Sequence, residues 1–224
     1  MKSRPELLTD GRFQGEVLAA FRESAGDDPK VRKFLAEILG QMRLPEAVPA
    51  LKAALVDPTQ DYVVAVLLAL AQIGSPTAYD AVLPYAKIAD ANLRKLAYFV
   101  LGRIKDDQAI PVLAKGLQDE DFQARVNAIF ALASFDDRRA LAELKPLLDR
   151  SFLARNGFHG GQSVGAGAAE DDMEPILTNA LTVAGHFHEA ALRTDIDRLR
   201  ASDPSPRVQR AAIEALAELD QPSR

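Results

Sequence analysis

Residues 92–102 read Asn-Leu-Arg-Lys-Leu-Ala-Tyr-Phe-Val-Leu-Gly, a stretch in which apolar side chains recur at helical intervals and the last leucine precedes a glycine. This leucine returns every 31 residues, as Leu39, Leu70, Leu101 and Leu132. Each copy is followed by a residue with little or no side chain: Gly40, Ala71, Gly102 and Ala133. A fixed period of this length is the signature of stacked helical repeats, so it decides the fold.

Two helices fit within each period. One apolar stripe at helical spacing consists of Val31, Phe34, Leu35, Ile38, Leu39 and Met42, and a second consists of Val48, Leu51 and Leu55. We expect Val31, Leu35, Ile38 and Met42 to face the core. The sequence shows no convincing alternation of the kind that predicts a strand.

Helix ends carry their own signals. Asp28-Pro29 and Asp203-Pro204 each predict an N-cap followed by a proline in the first helical turn. Gly74 comes directly after the last periodic residue of its helix and predicts a C-terminal stop.

These features resemble HEAT repeats, in particular the short type found in phycobilisome lyases. The segments that carry the resemblance are 28–40, 92–102 and 109–119. It implies an all-α fold, a right-handed, armadillo-like α-solenoid (α-α superhelix) of about six HEAT-like helix pairs. We place the pairs at about 11–42, 45–74, 76–105, 107–135, 138–187 and 189–219.

The fifth pair contains a glycine-rich insertion. Continuing the period from Leu132 reaches Ser163, yet the matching small-residue helix end is Ala184-Gly185, about 21 residues later. We therefore predict a single repeat domain over 1–224 with a flexible insertion at about 151–173, in which Phe158 and His159 could order on a partner.

Composition narrows the possible functions. The chain has no cysteine, which excludes a disulfide framework and a thiolate metal site. A net charge of -5 opposes general binding to nucleic acid, and the longest apolar run, Val63 to Ile73, is too short to span a bilayer. We expect a cytoplasmic protein with no membrane insertion, no cofactor and no metal, whose oligomeric state the sequence leaves open.

In the resembling family the second helix of each pair lines the concave surface. Following the period, a partner protein or peptide would contact the concave groove through Val64, Leu68, Lys95, Phe99, Arg103, Val126 and Phe130. Solvent-facing apolar side chains on adjacent repeats would form a contiguous patch, which commonly marks a binding site. The alternative is that these side chains pack against neighbouring second helices and are part of the core.

Arg32, Arg94 and Arg125 share one repeat position, with Val63 as the exception. In the resembling family this arginine pairs with an acidic residue of the adjoining turn and ties consecutive repeats together. The resemblance thus implies a structural ladder, with Asp57, Asp119 or Asp121 as acceptors.

Several motifs imitate catalytic or metal sites. Gly161-Gln162-Ser163-Val164-Gly165 matches the serine-hydrolase elbow, which requires a strand-to-helix turn that we do not expect here. A metal site could be suspected at His186, His188 and Glu189, because His-Glu pairs occur in the di-iron deoxyhypusine hydroxylases. That family repeats the pair several times, whereas this chain has it once, as His188-Glu189. HEAT-like DNA glycosylases use tryptophans beside the lesion, and this chain has none.

The sequence therefore favours a non-catalytic scaffold or adaptor for protein-protein interaction, not an enzyme. The alternatives are a phycobilin lyase-like subunit or another HEAT-like enzyme component, and nucleic-acid binding is the least supported.

Overall fold

The computed structural model describes residues 8–26, 28–56, 61–158 and 171–221. No strand occurs in these segments, and the fold is an all-α solenoid. The α-helices are α1 Gly11–Glu23, α2 Pro29–Met42, α3 Val48–Ala54, α4 Val63–Ile73, α5 Tyr79–Val82, α6 Ala91–Ile104, α7 Ile110–Gly116, α8 Phe122–Ala133, α9 Arg150–Arg155, α10 Met173–His186, α11 Arg193–Ser202 and α12 Pro206–Leu219. None of the described helices is long and apolar enough to cross a membrane.

The helices follow each other as short first helices and longer second helices. The second helices are α2, α4, α6, α8, α10 and α12, and short 3-10 turns such as Pro45–Ala47 introduce most of the first helices. Their bounds agree with the predicted pairs to within a few residues. Contacts group the chain into two compact units, the described residues up to Ala131 and those from Leu132 onward.

Within the first unit, α2 packs against α4 and α4 against α6; within the second, α10 packs against α12. The small residue near the end of the second helix explains how closely they pack. A Cβ on Gly40 would lie 2.8 Å from the Cα of Ala69 in α4, and a Cβ on Gly185 would lie 3.1 Å from the Cα of Ala215 in α12. Consecutive second helices therefore pack through the same pair of repeat positions in both units.

Most predicted helix ends are confirmed. Asp28 caps α2 by accepting a hydrogen bond from the backbone N of Lys30 at 2.9 Å, and Gly74 ends α4 in the left-handed conformation at φ 71°. The prediction for Asp203-Pro204 is wrong by two residues, because Ser205 is the N-cap of α12 and Pro206 occupies its first turn. Asp203 has a different role, described below.

The insertion predicted to be flexible from residue 151 is helical at its start. Residues 150–155 form α9, and Leu153 within it is fully buried. An apolar side chain therefore anchors this first part of the insertion in the second unit. The glycine-rich motif, with His159 and Ser163, lies outside the described residues.

The close approach at Gly40 generates a test with a matched control. Gly40→Ala is expected to destabilise the chain by about 1 kcal/mol or more, because overpacking against the backbone of α4 outweighs the helix-propensity gain of about 1 kcal/mol. Gly15→Ala in α1 should instead stabilise it, because a Cβ there meets nothing within 4 Å. Urea unfolding of both variants measures the two changes, and a stabilising Gly40→Ala would contradict the close approach.

Candidate functional site

Exposed apolar side chains concentrate on the second helices. Among the described residues, seven large apolar side chains are clearly exposed, and six of these lie on second helices. The six are Val31, Phe34, Val64, Leu68, Phe99 and Ile213, and the seventh, Val56, follows the first helix α3. Scattered exposed apolar residues are ordinary on any protein surface, but this restriction to one helix type is not.

Within the first unit, four repeat positions of α2, α4 and α6 define one surface, which we name the second-helix face. It consists of Lys30, Lys33, Glu37, Gln41, Asp61, Val64, Leu68, Gln72, Asn92, Lys95, Phe99 and Arg103. All of these side chains are exposed except Lys95, which is half-buried. The period thus places solvent-facing residues correctly over three successive repeats.

The apolar centre of this face comprises three of the predicted groove residues. Leu68 is 39% exposed, Phe99 is 43% exposed, and Val64 is exposed beside them. Leu68 and Phe99 occupy the same register position on the adjacent helices α4 and α6, so the expectation of solvent exposure holds for both. The alternative interpretation as buried core does not apply to these three side chains.

The prediction fails at Val126, which is 3% exposed and forms part of the core. Its register equivalent in the first repeat is Lys33, seven residues before Gly40 and therefore on the side of α2 that faces α4. Val64 occupies the same register position in α4 and is 48% exposed, so the exposure of this position depends on the local surroundings and not on the register alone. Phe130, at the register of Phe99, is half-buried.

The apolar stripe of α2 is more exposed than the sequence predicts. Val31 is expected to face the core but is 47% exposed, and Phe34, a member of the same stripe, is 59% exposed. Val31 lies nine residues before Gly40, on the opposite side of α2 from the α4 contact. No second helix precedes α2 among the described residues, so this side of α2 has no contact of the kind that α2 makes with α4.

The charges on the second-helix face are mainly positive. Lys30, Lys33, Lys95 and Arg103 stand against the two carboxylates Glu37 and Asp61. The ammonium Nζ of Lys95 lies 2.7 Å from Oε1 of Gln123 and 3.4 Å from Oδ1 of Asn92, both neutral amide oxygens.

Arg94, near the start of α6, makes several hydrogen bonds at once. Arg94 donates from Nε and Nη2 to the two carboxylate oxygens of Asp119, each at 2.9 Å. Its Nη1 donates to the carbonyl oxygens of Ile88 at 3.0 Å and Ala89 at 2.6 Å. This arginine therefore ties its own turn to the turn of the next repeat, as the family resemblance implies.

The pKa values around Asp119 shift accordingly. Hydrogen bonds from Arg94 lower the pKa of Asp119 below its usual range, and the same contact raises the pKa of Arg94. The Tyr98 hydroxyl donates to Oδ2 of Asp119 at 3.1 Å. Burial, with the nearby Asp119 carboxylate as a further cause, raises the pKa of Tyr98 to about 12.

The raised pKa of Tyr98 predicts a loss of stability at alkaline pH. An unfolded tyrosine titrates near 10, so the contribution of neutral Tyr98 is intact below about pH 10 and is lost as the pH rises to about 12. Wild type should lose about 1–3 kcal/mol relative to Tyr98→Phe over this interval, because one pKa unit corresponds to about 1.4 kcal/mol. Denaturant unfolding of both proteins at pH 9 and pH 11.5 checks this, and parallel curves would contradict it.

The other two ladder arginines make different contacts. Arg125 donates to the backbone carbonyl of Asp119 at 2.6 Å and stacks over the ring of Phe122. Arg32 is buried between the rings of Phe21 and Tyr62, with its Cζ 5.0 Å and 5.1 Å from the ring centres.

Of the three predicted acceptors, one accepts from a ladder arginine through its carboxylate. Asp119 pairs with Arg94 as expected. The carboxylate of Asp121 instead accepts from the backbone N of Ala124 at 2.8 Å. Asp57 lies outside the described residues, and Nε and Nη1 of Arg32 have no hydrogen-bond partner within the described ranges.

The second unit contains a ladder contact that sequence reasoning missed. Asp171 and Asp203 occupy the repeat position of Asp119, and each of the three accepts a hydrogen bond from the backbone N two residues later. The position that should hold the matching arginine is Leu177. Arg150 of α9 takes over, donating to both oxygens of Asp203 at 2.7 and 2.9 Å and to Asp171 at 2.8 Å.

One signal in the sequence could have revealed the Arg150–Asp203 pair: Asp203 keeps the acidic turn position although the expected arginine position holds Leu177. Gln209, at the ladder position of α12, donates to the backbone carbonyl of Asp203 at 2.6 Å. The Asp203 side chain is 1% exposed, so it requires a cation from elsewhere. Hydrogen bonds to Asp203, and then to Asp171, raise the pKa of Arg150.

Arg150→Ala is expected to destabilise the chain by about 3 kcal/mol, because it leaves a buried carboxylate without its partner. Arg200→Ala is the matched control, since Arg200 is half exposed and pairs within its own helix with Asp197. It should change the free energy of unfolding by about 0.5 kcal/mol or less. Chemical denaturation measures both, and equal effects would show that Arg150 has no special role.

The remaining candidate groups in the described part of the chain are Phe158 and the histidine at the end of α10. Phe158 is half-buried, and its backbone N donates to the carbonyl of Leu153 at 3.1 Å. His186 Nε2 lies 2.6 Å from Oδ1 of Asp136 on an exposed surface. Among the described residues, no three His, Asp or Glu side chains come together in an arrangement that could hold a metal ion.

A family model for HEAT repeats matches the chain twice, over residues 16–90 and 83–156. Among curated proteins, none matches the chain in sequence.

Solved structures of repeat proteins share the fold. The designed armadillo repeat protein YIII(Dq)4CqI superposes with a TM-score of 0.52 at 17% identity, covering 97% of this chain and 100% of its own. A related design, YIII(Dq.V1)4CPAF in complex with the peptide (KR)4, gives a TM-score of 0.51 at 17% identity with the same coverage. An engineered protein gives 0.51 at 16% identity, covering 91% of this chain and 96% of its own. At these identities the similarity concerns the fold alone.

Proposed function

Because this chain belongs to the HEAT-repeat family, we propose that it is a non-catalytic interaction scaffold that binds a partner protein or peptide on the second-helix face. The observation that carries the proposal is the exposure of Val64, Leu68 and Phe99 together on neighbouring second helices. Stacked repeats hold such side chains on a rigid surface, which reduces the ordering cost of binding.

Apolar side chains that stay exposed in the folded chain contribute favourable free energy only when a partner covers them. Burying a leucine or phenylalanine side chain contributes about 1.5–3 kcal/mol, and aromatic residues are common among those that dominate binding. Leu68 and Phe99 are therefore the two side chains expected to contribute most.

The structural similarity to a peptide-bound armadillo design supports the same proposal at the level of architecture. That design forms a complex with the peptide (KR)4. Our proposal takes from it only that this architecture can present a surface for a chain segment. The identity of the partner depends on the side chains of this protein.

Two truncations test the proposal. Immobilised Leu68→Ala and Phe99→Ala proteins should each recover about tenfold less of the partner captured by wild type from an extract of the native cell, quantified by mass spectrometry. Their melting temperatures should fall by no more than about 4 °C, because each side chain is only partly covered in the folded chain and its truncation costs about 1 kcal/mol.

Val56→Ala is the matched control. Val56 is 84% exposed and lies outside the second helices, so its truncation removes similar apolar area without touching the proposed surface. Capture that is unchanged by Leu68→Ala and Phe99→Ala, or reduced equally by Val56→Ala, would refute a role for the second-helix face.

A further inference from the structure

We infer that the ligand of the second-helix face is an acidic protein segment that carries apolar side chains at every third position. The inference rests on the proposed function and adds the chemistry of the partner. Three independent features of the first unit lead to it: the balance of charge, the absence of internal partners for the cations, and the spacing of the apolar side chains.

The charge on the face is opposite in sign to that of the whole chain. Four cations and two carboxylates give the face a positive balance, while the chain carries a net charge of -5. Complementary potentials select partners and accelerate encounter more than they raise final affinity. A cationic surface on an acidic protein therefore favours an acidic ligand over a neutral or basic one.

The cations on this face are available to a ligand. In the described ranges, Lys30, Lys33 and Arg103 make no ion pair, and Lys95 contacts only amide oxygens. On the first-helix side, by contrast, Lys52 of α3 pairs with Asp80 of α5 at 2.6 Å and donates to the carbonyl of Thr77. An acidic segment would supply carboxylates that the second-helix face lacks, and exposed pairs of this kind provide selectivity that salt weakens.

The apolar side chains set the spacing of the ligand. Leu68 and Phe99 are register equivalents on packed neighbours, and the axes of packed helices lie about 8–10 Å apart. A segment in the polyproline II conformation repeats its side-chain direction every three residues and rises about 3.1 Å per residue, or about 9 Å per turn. One apolar side chain per turn can thus contact each helix, while the residues between them carry the acidic groups toward Lys33, Lys95 and Arg103.

Nucleic acid is the competing ligand for a cationic face. A phosphate backbone would use the same cations, but a base can stack only on the ring of Phe99, and the aliphatic side chains Val64 and Leu68 at the centre of the surface offer no such ring. A protein segment can supply both carboxylates for the cations and apolar side chains for the apolar centre of the face.

Three labelled peptides and an oligonucleotide separate these ligands. We would measure fluorescence anisotropy with four repeats of Leu-Glu-Pro, with its basic counterpart Leu-Lys-Pro, with Ser-Glu-Pro, and with a 12-nucleotide oligothymidine, all at low salt. The Leu-Glu-Pro peptide should bind at least tenfold tighter than either other peptide, and its advantage over Leu-Lys-Pro should shrink as salt rises. Tighter binding of the oligonucleotide or the basic peptide, or no binding of Leu-Glu-Pro at millimolar protein, overturns the inference.

Charge reversal on the protein supplies the second arm. Lys33→Glu with Arg103→Glu should weaken Leu-Glu-Pro binding at least tenfold and reverse the preference toward Leu-Lys-Pro. Lys87→Glu with Lys115→Glu changes the net charge equally outside the face and should leave both affinities within about twofold; an equal loss there would overturn the inference.

Failure of this inference and failure of the proposed function look different. If the acidic preference is absent while capture of the native partner still depends on Leu68 and Phe99, only the charge assignment is wrong. If capture is independent of Leu68 and Phe99, the proposed function itself is wrong.

Discussion

The close contact between consecutive second helices is the constraint on which the other features depend. Gly40 against Ala69 and Gly185 against Ala215 bring backbone to backbone at equivalent register positions. Because interiors are close-packed, a contact this tight fixes both the separation and the rotation of the helices. Once rotation is fixed, the same four positions of α2, α4 and α6 face solvent, and the second-helix face is a direct consequence of the repeat.

The turns obey a second constraint, which is electrostatic rather than steric. A buried aspartate at the repeat position requires a cation, since an unpaired buried carboxylate is costly. Arg94 meets this requirement for Asp119 from within the period. For Asp203 the matching position holds Leu177, and Arg150 of the insertion helix α9 supplies the guanidinium instead. The aspartate acceptor therefore recurs at the same repeat position, whereas its arginine donor can come from a different segment of the chain.

The sequence alone predicted what the period controls. Second-helix bounds, the small residue after the leucine and the exposure of Leu68 follow from spacing, whereas the pairing of Arg94 with an acid of the adjoining turn is what the family resemblance implies. Three features did not follow. Val126 occupies an edge position whose exposure depends on its neighbours, Phe34 lies on a helix that no earlier second helix covers, and Arg150 acts over 53 residues outside the repeat. Each of these depends on local surroundings that a single averaged repeat cannot represent.

Within the first unit, the first-helix side and the second-helix face differ in whether their cations are paired and in how much apolar surface they expose. This difference supports the proposed role of the second-helix face. On the first-helix side, Lys52 has its acid, Asp80, within the chain. On the second helices, Leu68 and Phe99 remain exposed among cations without internal acids. Leu68 and Phe99 take part neither in the Gly40 contact nor in the aspartate turns, so polar residues at positions 68 and 99 would leave both intact. We therefore expect the apolar and cationic character of this face to matter more for binding a partner than for the fold.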